Sequence, residues 1–247
     1  MTTSDSTDAL TSLAPILAGT TGDWAATAGR VTYPSRAQVL ALGVSLSRPV
    51  PGHIIEFGTW EGASTRVIRD ELWQSRIWDR GQRGKRIYAC DSFQGLAENY
   101  EHLKKGTFAT EVPKLRGVRI VNGFFEDTLT DRLAREIGRI SFAHLDADLY
   151  SSTLTALNWM TPLLQPGSVL LFDELIGEDP AEARALLEWQ RDSGVELAML
   201  ALFGREPSGK GDMTDRRALF QVIGDKKITK APPLFPVRLR RRLAAKW

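Results

Sequence analysis

The chain has 247 residues, of which 43% are hydrophobic and 25% are charged, and its formal net charge is +2. These proportions are typical of a globular protein of one or two domains. The single cysteine, Cys90, excludes an intrachain disulfide, and with only three histidines a zinc site is not expected. The N-terminus lacks the basic and apolar segments of a signal peptide, and the longest apolar run, Leu197–Phe203, is far shorter than the ~18 residues of a membrane span. We therefore expect a cytoplasmic protein with no membrane partner.

Positive charge is concentrated at the C-terminus. Residues 225–247 carry eight Lys or Arg and one Asp, so the rest of the chain is net acidic. A basic tail can bind nucleic acid, but this one has few aromatic residues and begins with prolines, which favours a solvated or subunit-packing tail. We predict an N-terminal arm or lid over 1–34, one folded domain over 35–224, the tail over 225–247, and a homo-oligomer that does not bind nucleic acid.

Short apolar strands alternate with amphipathic helices through most of the domain. Ser35 is a typical N-cap for the first helix. The predicted strands are Ile54–Phe57, Arg86–Ala89, Val118–Val121, Ile140–Leu145 and Ser168–Phe172. The helices that follow are predicted near Ser64–Trp78, Glu126–Glu136, Ser151–Leu164 and Pro180–Arg191. Because these strands are almost continuously apolar, they indicate a parallel sheet that helices cover on both faces.

The pattern changes after Gly194. Two further strands, Val195–Phe203 and Ala218–Ile223, follow with no crossover helix between them, so they should pair antiparallel. The sequence therefore predicts an α/β fold: a doubly wound, mostly parallel, seven-stranded sheet of Rossmann-like type that ends in an antiparallel strand.

Ligands of such a sheet bind beyond the carboxyl ends of its strands, and the first two strands end in candidate turns. Gly58 and Gly62 follow the first strand, in a pattern that is neither the dinucleotide fingerprint nor a phosphate-binding loop. They allow a ligand to approach the backbone closely, or they serve packing alone. Asp91 follows the second strand, where an acid can accept hydrogen bonds from ribose hydroxyls or cap the next turn. After the third strand, Phe124 and Phe125 can sandwich an adenine or belong to the core.

Acidic residues follow the fourth and fifth strands. Asp146 and Asp148 come after one, and Asp173 and Glu174 after the other. Neighbouring strands lie ~4.8 Å apart, so these carboxylates should crowd together and raise one another's pKa. A hard divalent cation such as Mg²⁺ or Ca²⁺ relieves that repulsion. His144 lies on the same strand face as Asp146, either as a base or as a buried core histidine.

Five segments are familiar in their order and spacing. They are Pro51–Ala63, Asp91–Gly95, Gly123–Leu129, Asp146–Thr153 and Asp173-Glu174. Together they resemble the macrocin O-methyltransferase family of class I S-adenosylmethionine-dependent methyltransferases. The resemblance implies a metal-dependent enzyme that methylates a sugar hydroxyl on a glycosylated natural product, as in antibiotic biosynthesis.

The resemblance also assigns roles to individual residues. The implied cofactor contacts are Glu56, Gly58, Gly62, Asp91, Ser92, Phe93, Gly123, Phe124 and Asp146. Within this set, Glu56 and Gly58 hold the methionine part, Asp91 the ribose, and Gly123 and Phe124 the adenine. The implied metal ligands are Asp146, Asp173 and Glu174, where the family usually has two aspartates in place of Asp173-Glu174. The longer Glu174 leaves the coordination geometry, and the identity of the metal, open.

The chemistry of the cofactor agrees with these assignments. S-adenosylmethionine has no pyrophosphate, so a missing phosphate loop is expected, and its positive charges suit an acid at Glu56. Methyl transfer needs an acceptor ~3 Å from the methyl group and a base for its proton. Asp146 or Asp148 is the candidate base, with His144 behind them.

Three alternatives stay open. A catechol-type methyltransferase is one, although the enzymes of that group have a lysine three residues after the first metal aspartate, where this chain has Leu149. The others are an N-methyltransferase of an amino sugar and a non-catalytic interaction module of the same fold. A nucleic-acid methyltransferase is disfavoured because the body of the chain is acidic.

Overall fold

Seven strands form one sheet in the computed structural model, which describes residues 35–100, 102–176, 181–204 and 216–223. The predicted arm and the basic tail lie outside the described residues. The strands are β1 (His53–Phe57), β2 (Ile87–Asp91), β3 (Arg119–Asn122), β4 (Ile140–Leu145), β5 (Val169–Ile176), β6 (Leu197–Gly204) and β7 (Arg216–Val222). Their order across the sheet is β3-β2-β1-β4-β5-β7-β6.

The first five strands are parallel, and β7 runs antiparallel to both β5 and β6. This confirms the predicted doubly wound sheet with its antiparallel end. Most predicted strand bounds agree with the structure within two residues. The exception is β5, which continues to Ile176 and so includes Asp173 and Glu174, which were predicted to follow it.

Six α-helices cover the sheet within the described residues. They are α1 (Arg36–Leu46), α2 (Ala63–Trp78), α3 (Phe125–Thr128), α4 (Asp131–Ile137), α5 (Tyr150–Met160) and α6 (Ala181–Ser193). Ser35 caps α1 as predicted, in a reciprocal capping box with Gln38. No helix in these ranges combines the length and apolarity required to cross a membrane.

Two predicted helices differ from the observed ones. The helix expected over 126–136 is divided in two, because the hydroxyl of Thr130 accepts a hydrogen bond from the Leu133 amide and starts α4 anew. The helix expected to reach residue 164 ends at Met160, where a short 3₁₀ turn containing Pro162 follows. Proline cannot continue the hydrogen-bonding of a helix interior, and it suits such a first turn.

Two apolar clusters occupy the two faces of the sheet. Ile55 and Phe57 belong to the cluster that includes Leu157 of α5 and Trp189 of α6. Ile54, the residue immediately before Ile55, belongs to the opposite cluster with side chains of α1 and α2. Successive strand residues point to opposite faces, so burial on both faces explains why these strands are apolar throughout.

The register of the central strands aligns their carboxyl ends. Phe57 of β1 is the partner of Leu145 of β4, which is in turn the partner of Phe172 of β5. The residues that come next, Gly58, Asp146 and Asp173, therefore lie in a row across three strands. The chain reverses its strand order at β1, between β2 and β4, and this switch point is where ligands of open α/β sheets bind.

Candidate active site

A cavity of about 210 Å³ lies at the carboxyl ends of the central strands. The predicted site residues that line it are Gly58, Asp91, Ser92, Phe124, Asp146, Asp148, Asp173 and Glu174. Those that do not line it are Glu56, Gly62, Phe93, Gly123 and His144. The structure thus brings five carboxyl side chains, from the ends of β2, β4 and β5, to one cavity, while several of the predicted cofactor contacts lie outside its lining.

Gly58 is required where β1 meets the cavity. Its φ is +88°, and a Cβ on this residue would lie 1.8 Å from the carbonyl oxygen of Asp146. The amide of Gly58 donates to Cys90 O of β2 (3.0 Å), and the Asp146 amide donates to Phe57 O (2.9 Å). The turn after β1 is therefore packed directly against the end of β4, which only glycine permits.

Asp91 is fixed by backbone donors from two turns. Its Oδ2 accepts hydrogen bonds from the amides of Thr59 (2.8 Å) and Trp60 (2.7 Å), and its Oδ1 accepts one from the amide of Phe93 (2.7 Å). A carboxylate offers about four acceptor positions, so this side chain, which faces the cavity, keeps roughly one for a ligand hydroxyl. Trp60 and Phe93 have positive φ (46° and 55°), so the turns that supply these donors are themselves strained.

Aromatic side chains border the same cavity. Trp60 and Phe108 pack edge to face with centroids 6.1 Å apart and are about half exposed, at 48% and 45%. Neither residue was among the predicted site residues, although Trp60 lies between Gly58 and Gly62 in the predicted glycine turn. Both members of the predicted adenine pair line the cavity, and Phe125, which is largely buried, also packs edge-on against Phe57.

Glu56 and His144 form a buried pair behind the cavity wall. They are register partners on β1 and β4, and His144 Nδ1 lies 2.9 Å from Glu56 Oε1. The hydroxyl of Thr65 donates to the other carboxylate oxygen of Glu56. Burial lowers the pKa of His144, but Asp173 and Glu56 outweigh that effect and raise its pKa to about 9. His144 is thus a buried, partnered histidine, and neither Glu56 nor His144 belongs to the cavity lining.

Arg36 and Arg217 compensate the carboxylate cluster. Arg36 Nη2 donates to Asp146 Oδ2, and its Nε lies 3.1 Å from Asp173 Oδ1. Arg217 of β7 binds Asp173 in a fork, with Nε 2.7 Å from Oδ1 and Nη2 3.4 Å from Oδ2. Burial favours a higher pKa for Asp173, but contacts with His144, Arg36 and Arg217 hold its pKa well below the usual range.

Two further acids at this edge of the sheet, Asp148 and Glu182, have no arginine partner of this kind among the described contacts. Burial and the neighbouring Asp146 raise the pKa of Asp148 to about 8. Asp148 also has a positive φ of 57°, a strained conformation for a non-glycine residue. Glu182, which the sequence analysis missed, is buried at the start of α6 and accepts from the amides of Glu174 (3.1 Å) and Ala147 (3.4 Å). It therefore ties the ends of β4 and β5 together.

The predicted metal ligands are not arranged around a metal-sized space. Among the residues that the structure describes, no three His, Cys, Asp or Glu side chains form a group suited to hold a metal ion. Asp146 and Asp173 direct their oxygens to arginine instead. The side chains as arranged therefore do not fit a divalent cation.

Comparison with known proteins agrees with this geometry. Residues 55–175 match a family model described as a methyltransferase domain, and the match runs from β1 to β5, the strands whose ends form the cavity. This part of the chain is therefore similar to a methyltransferase domain. The sheet topology is that of the class I methyltransferases, as predicted.

The curated relatives to which this chain is similar are named as O-methyltransferases. One from Streptomyces olivaceus, 8-demethyl-8-(2,3-dimethoxy-alpha-L-rhamnosyl)-tetracenomycin-C 4'-O-methyltransferase, is 29% identical over 62% of this chain and 64% of its own length. Demethyldecarbamoylnovobiocin O-methyltransferase from Streptomyces niveus is 25% identical over the same shares. The chain thus spans somewhat less than two thirds of either relative.

A solved structure extends the likeness in fold. The O-methyltransferase NovP superposes with a TM-score of 0.59 at 20% identity, covering 76% of this chain and 80% of that one. Identity at this level shows the shared fold alone.

Proposed function

We propose that this protein is an S-adenosylmethionine-dependent O-methyltransferase of the macrocin type, acting on a sugar hydroxyl of a glycosylated natural product. The observation that carries the proposal is the placement of Asp91 and the Asp146 and Asp148 carboxyls along one cavity of a methyltransferase domain. β2 and β4 flank β1, so these strand ends lie about 10 Å apart. That separation leaves room for a nucleoside at one end and an acceptor at the other.

The cofactor binds across the β1 and β2 ends in this proposal. Asp91 accepts from the ribose hydroxyls, Phe124 packs beside the adenine, and the methionine part lies over Gly58. Asp91 supports this role because three backbone amides already hold its carboxylate toward the cavity. S-adenosylmethionine contains no pyrophosphate, so the missing phosphate loop agrees with the proposal.

Methyl transfer is an in-line displacement at the sulfonium methyl group. The acceptor oxygen forms a bond to the methyl carbon while the carbon–sulfur bond breaks, and S-adenosylhomocysteine leaves with the electron pair. The acceptor proton passes to Asp148, whose carboxyl lines the cavity and is not engaged by Arg36 in the way that Asp146 is. Arg36 and the buried pair of Glu56 and His144 keep the surrounding charges fixed during the reaction.

Two observations support a sugar acceptor. The Streptomyces olivaceus relative is named for a substrate that carries a rhamnosyl group. Leu149 lines the cavity at the position where the catechol-type enzymes have lysine, so the acceptor pocket has an apolar side chain there. The resemblance also implies a divalent metal ion, but the arginine-bound aspartates do not fit one, and no step proposed here uses it.

The test is methyl transfer from labelled S-adenosylmethionine to a panel of acceptors. The panel contains rhamnosylated aromatic polyketides, glycosylated macrolides, their aglycones, simple catechols and amino sugars. We expect labelled product only with glycosides, and a loss of turnover of ~100-fold or more in Asp148→Asn. Asp127→Asn, an exposed acid on α3, is the matched control and should leave turnover unchanged.

Other outcomes identify the alternatives. Product with catechols and no glycoside would indicate a catechol-type enzyme, and product with amino sugars alone would indicate an N-methyltransferase. If calorimetric titration detects no binding of S-adenosylhomocysteine to the wild type, the domain is a non-catalytic interaction module.

A further inference from the structure

The side chain of Arg36 bridges the ends of β4 and β5, at the end of the site proposed for the acceptor. It is the first residue of α1, whereas Asp146 follows β4 and lies 110 residues away in sequence. Its guanidinium contacts Asp146 through Nη2 and approaches Asp173 of β5 through Nε. One side chain from a separate helix thus neutralises the two aspartates that the sequence resemblance assigns to a metal ion.

Asp173 has a second arginine in addition to Arg36. Arg217 is itself buried and binds both oxygens of Asp173 in a fork. The Asp173 carboxylate is therefore surrounded by guanidinium groups from α1 on one side and β7 on the other. Its acceptor positions are occupied by charge-assisted hydrogen bonds and ion pairs, which are the strongest such contacts.

We propose that Arg36 is the resident cation of the acceptor site and that methyl transfer by this protein needs no divalent metal ion. This inference rests on the proposed function, because it describes how the acceptor oxygen is stabilised in that reaction. The Arg36 side chain lines the cavity and is 37% exposed, whereas that of Arg217 is 7% exposed. Arg36 is thus the arginine of this pair that an acceptor can reach.

A metal ion and Arg36 exclude each other at this place. Mg²⁺ binds carboxylate oxygens at about 2.1 Å, so an ion shared by Asp146 and Asp173 must lie between them, where the Arg36 guanidinium lies. The ion would also face the positive charge of Arg217, which the fold buries against Asp173. Binding of the metal would therefore require Arg36 to leave both carboxylates.

A guanidinium can stabilise negative charge on the acceptor oxygen, which is the main role expected of the metal ion. It has five N–H donors in a rigid plane, and its two aspartate partners hold that plane at the cavity wall. Charge of this kind, fixed before the reaction, stabilises the negative charge that develops on an acceptor oxygen as its proton leaves. The capping box at Ser35 fixes the helix turn from which Arg36 extends.

The first experiment measures metal binding and needs no acceptor. Full-length protein, dialysed against EDTA and then freed of it, is titrated with Mn²⁺ and followed by electron paramagnetic resonance. We expect no Mn²⁺ binding below millimolar concentrations in the wild type. Arg36→Met keeps the length of the side chain without its charge, and we expect it to expose a Mn²⁺ site that Mg²⁺ displaces. Arg116→Ala, an exposed arginine outside the cavity, should behave like the wild type.

The second experiment measures turnover and cofactor affinity. The wild type should retain its rate within about two-fold in excess EDTA, and Arg36→Met should lose ~100-fold or more in kcat, the loss typical for removal of one preorganised donor. Arg36→Lys should recover part of it. S-adenosylhomocysteine affinity should stay within about two-fold in both variants, since the Asp91 contacts remain, which separates a local effect from misfolding.

Two results would overturn the proposal. One is micromolar Mn²⁺ binding by the wild type together with loss of turnover in EDTA, and the other is full turnover by Arg36→Met. If no acceptor is methylated at all, the proposed function fails, but the Mn²⁺ titrations still decide which cation the two aspartates hold.

Discussion

Replacing Gly58 with alanine tests the contact between the glycine turn and the end of β4. The new Cβ would lie 1.8 Å from the carbonyl oxygen of Asp146 and 2.7 Å from its carbonyl carbon. Both are backbone atoms, so a rotamer change cannot relieve the clash. The φ of +88° adds a second cost, because side chains of L-residues disfavour it.

The size of the effect follows from these two costs. The unfavourable φ contributes roughly 1–2 kcal/mol, and overpacking contributes about 1–3 kcal/mol, occasionally more. Gly194→Ala is the matched control, because Gly194 also has a positive φ (+69°) but no atom within 4 Å of the added Cβ. Gly58→Ala should therefore lower the free energy of unfolding by about 1–3 kcal/mol more than Gly194→Ala does.

The assay combines urea unfolding, followed by circular dichroism, with calorimetric titration of S-adenosylhomocysteine. A displaced Asp146 backbone distorts the cavity wall, so the cofactor affinity of Gly58→Ala should fall by ~10-fold or more, a loss of about 1.4 kcal/mol. Gly194→Ala, at the end of α6 and away from the cavity, should bind normally. If the two variants are equally stable and bind S-adenosylhomocysteine equally well, the close contact between Gly58 and the Asp146 carbonyl is refuted.

Three further predictions concern two acids, Asp91 and Glu182, and the buried histidine, His144. Asp91→Asn should weaken S-adenosylhomocysteine binding ~10-fold by calorimetry, because it removes charge-assisted hydrogen bonds, whereas Asp127→Asn should not; equal affinities would contradict the ribose assignment. Glu182→Ala should lower the free energy of unfolding by ~1–3 kcal/mol, since it leaves two partly buried amides unpaired, and Glu182→Gln, which keeps an acceptor, should lose less. His144 has a pKa raised to about 9, so its charge stabilises the fold fully below about pH 6.5 and progressively less as pH rises through 9. The stability difference between the wild type and His144→Asn should shrink over that range, and a difference constant from pH 6 to 10 would show that the imidazolium charge is not involved.

The layout of the sheet could be predicted because it depends on repeated local patterns. Apolar strands separated by amphipathic helices specify parallel pairing, and a strand pair without a crossover helix specifies the antiparallel end. Once the strands are parallel, their carboxyl ends share one edge. This shared edge was enough to predict, without any side-chain contact, that Asp91, Asp146 and Asp173 would lie at one site.

Side chains that reach the site from elsewhere could not be predicted in the same way. From the sequence, Arg36 is expected to be the first residue of a capped helix. Nothing in the neighbouring residues indicates that its side chain contacts the ends of β4 and β5. From the sequence, Glu182 is expected to stabilise the N-terminus of α6 as an acid in its first turn. In the structure it is buried and accepts hydrogen bonds from two strand-end amides. Both contacts depend on how a helix packs over a strand end, which is a long-range property.

The predicted metal ion illustrates what strand spacing alone does not specify. Crowded carboxylates need positive charge nearby, and the sequence predicted that need correctly from strand spacing. The need itself does not specify the cation. A metal ion binds from solution and requires several open oxygens, whereas a guanidinium is supplied by the chain and satisfies two carboxylates at once. Asp146 and Asp173 are engaged in the second way, so the packing of α1, through Arg36, determines which kind of chemistry the same acids support.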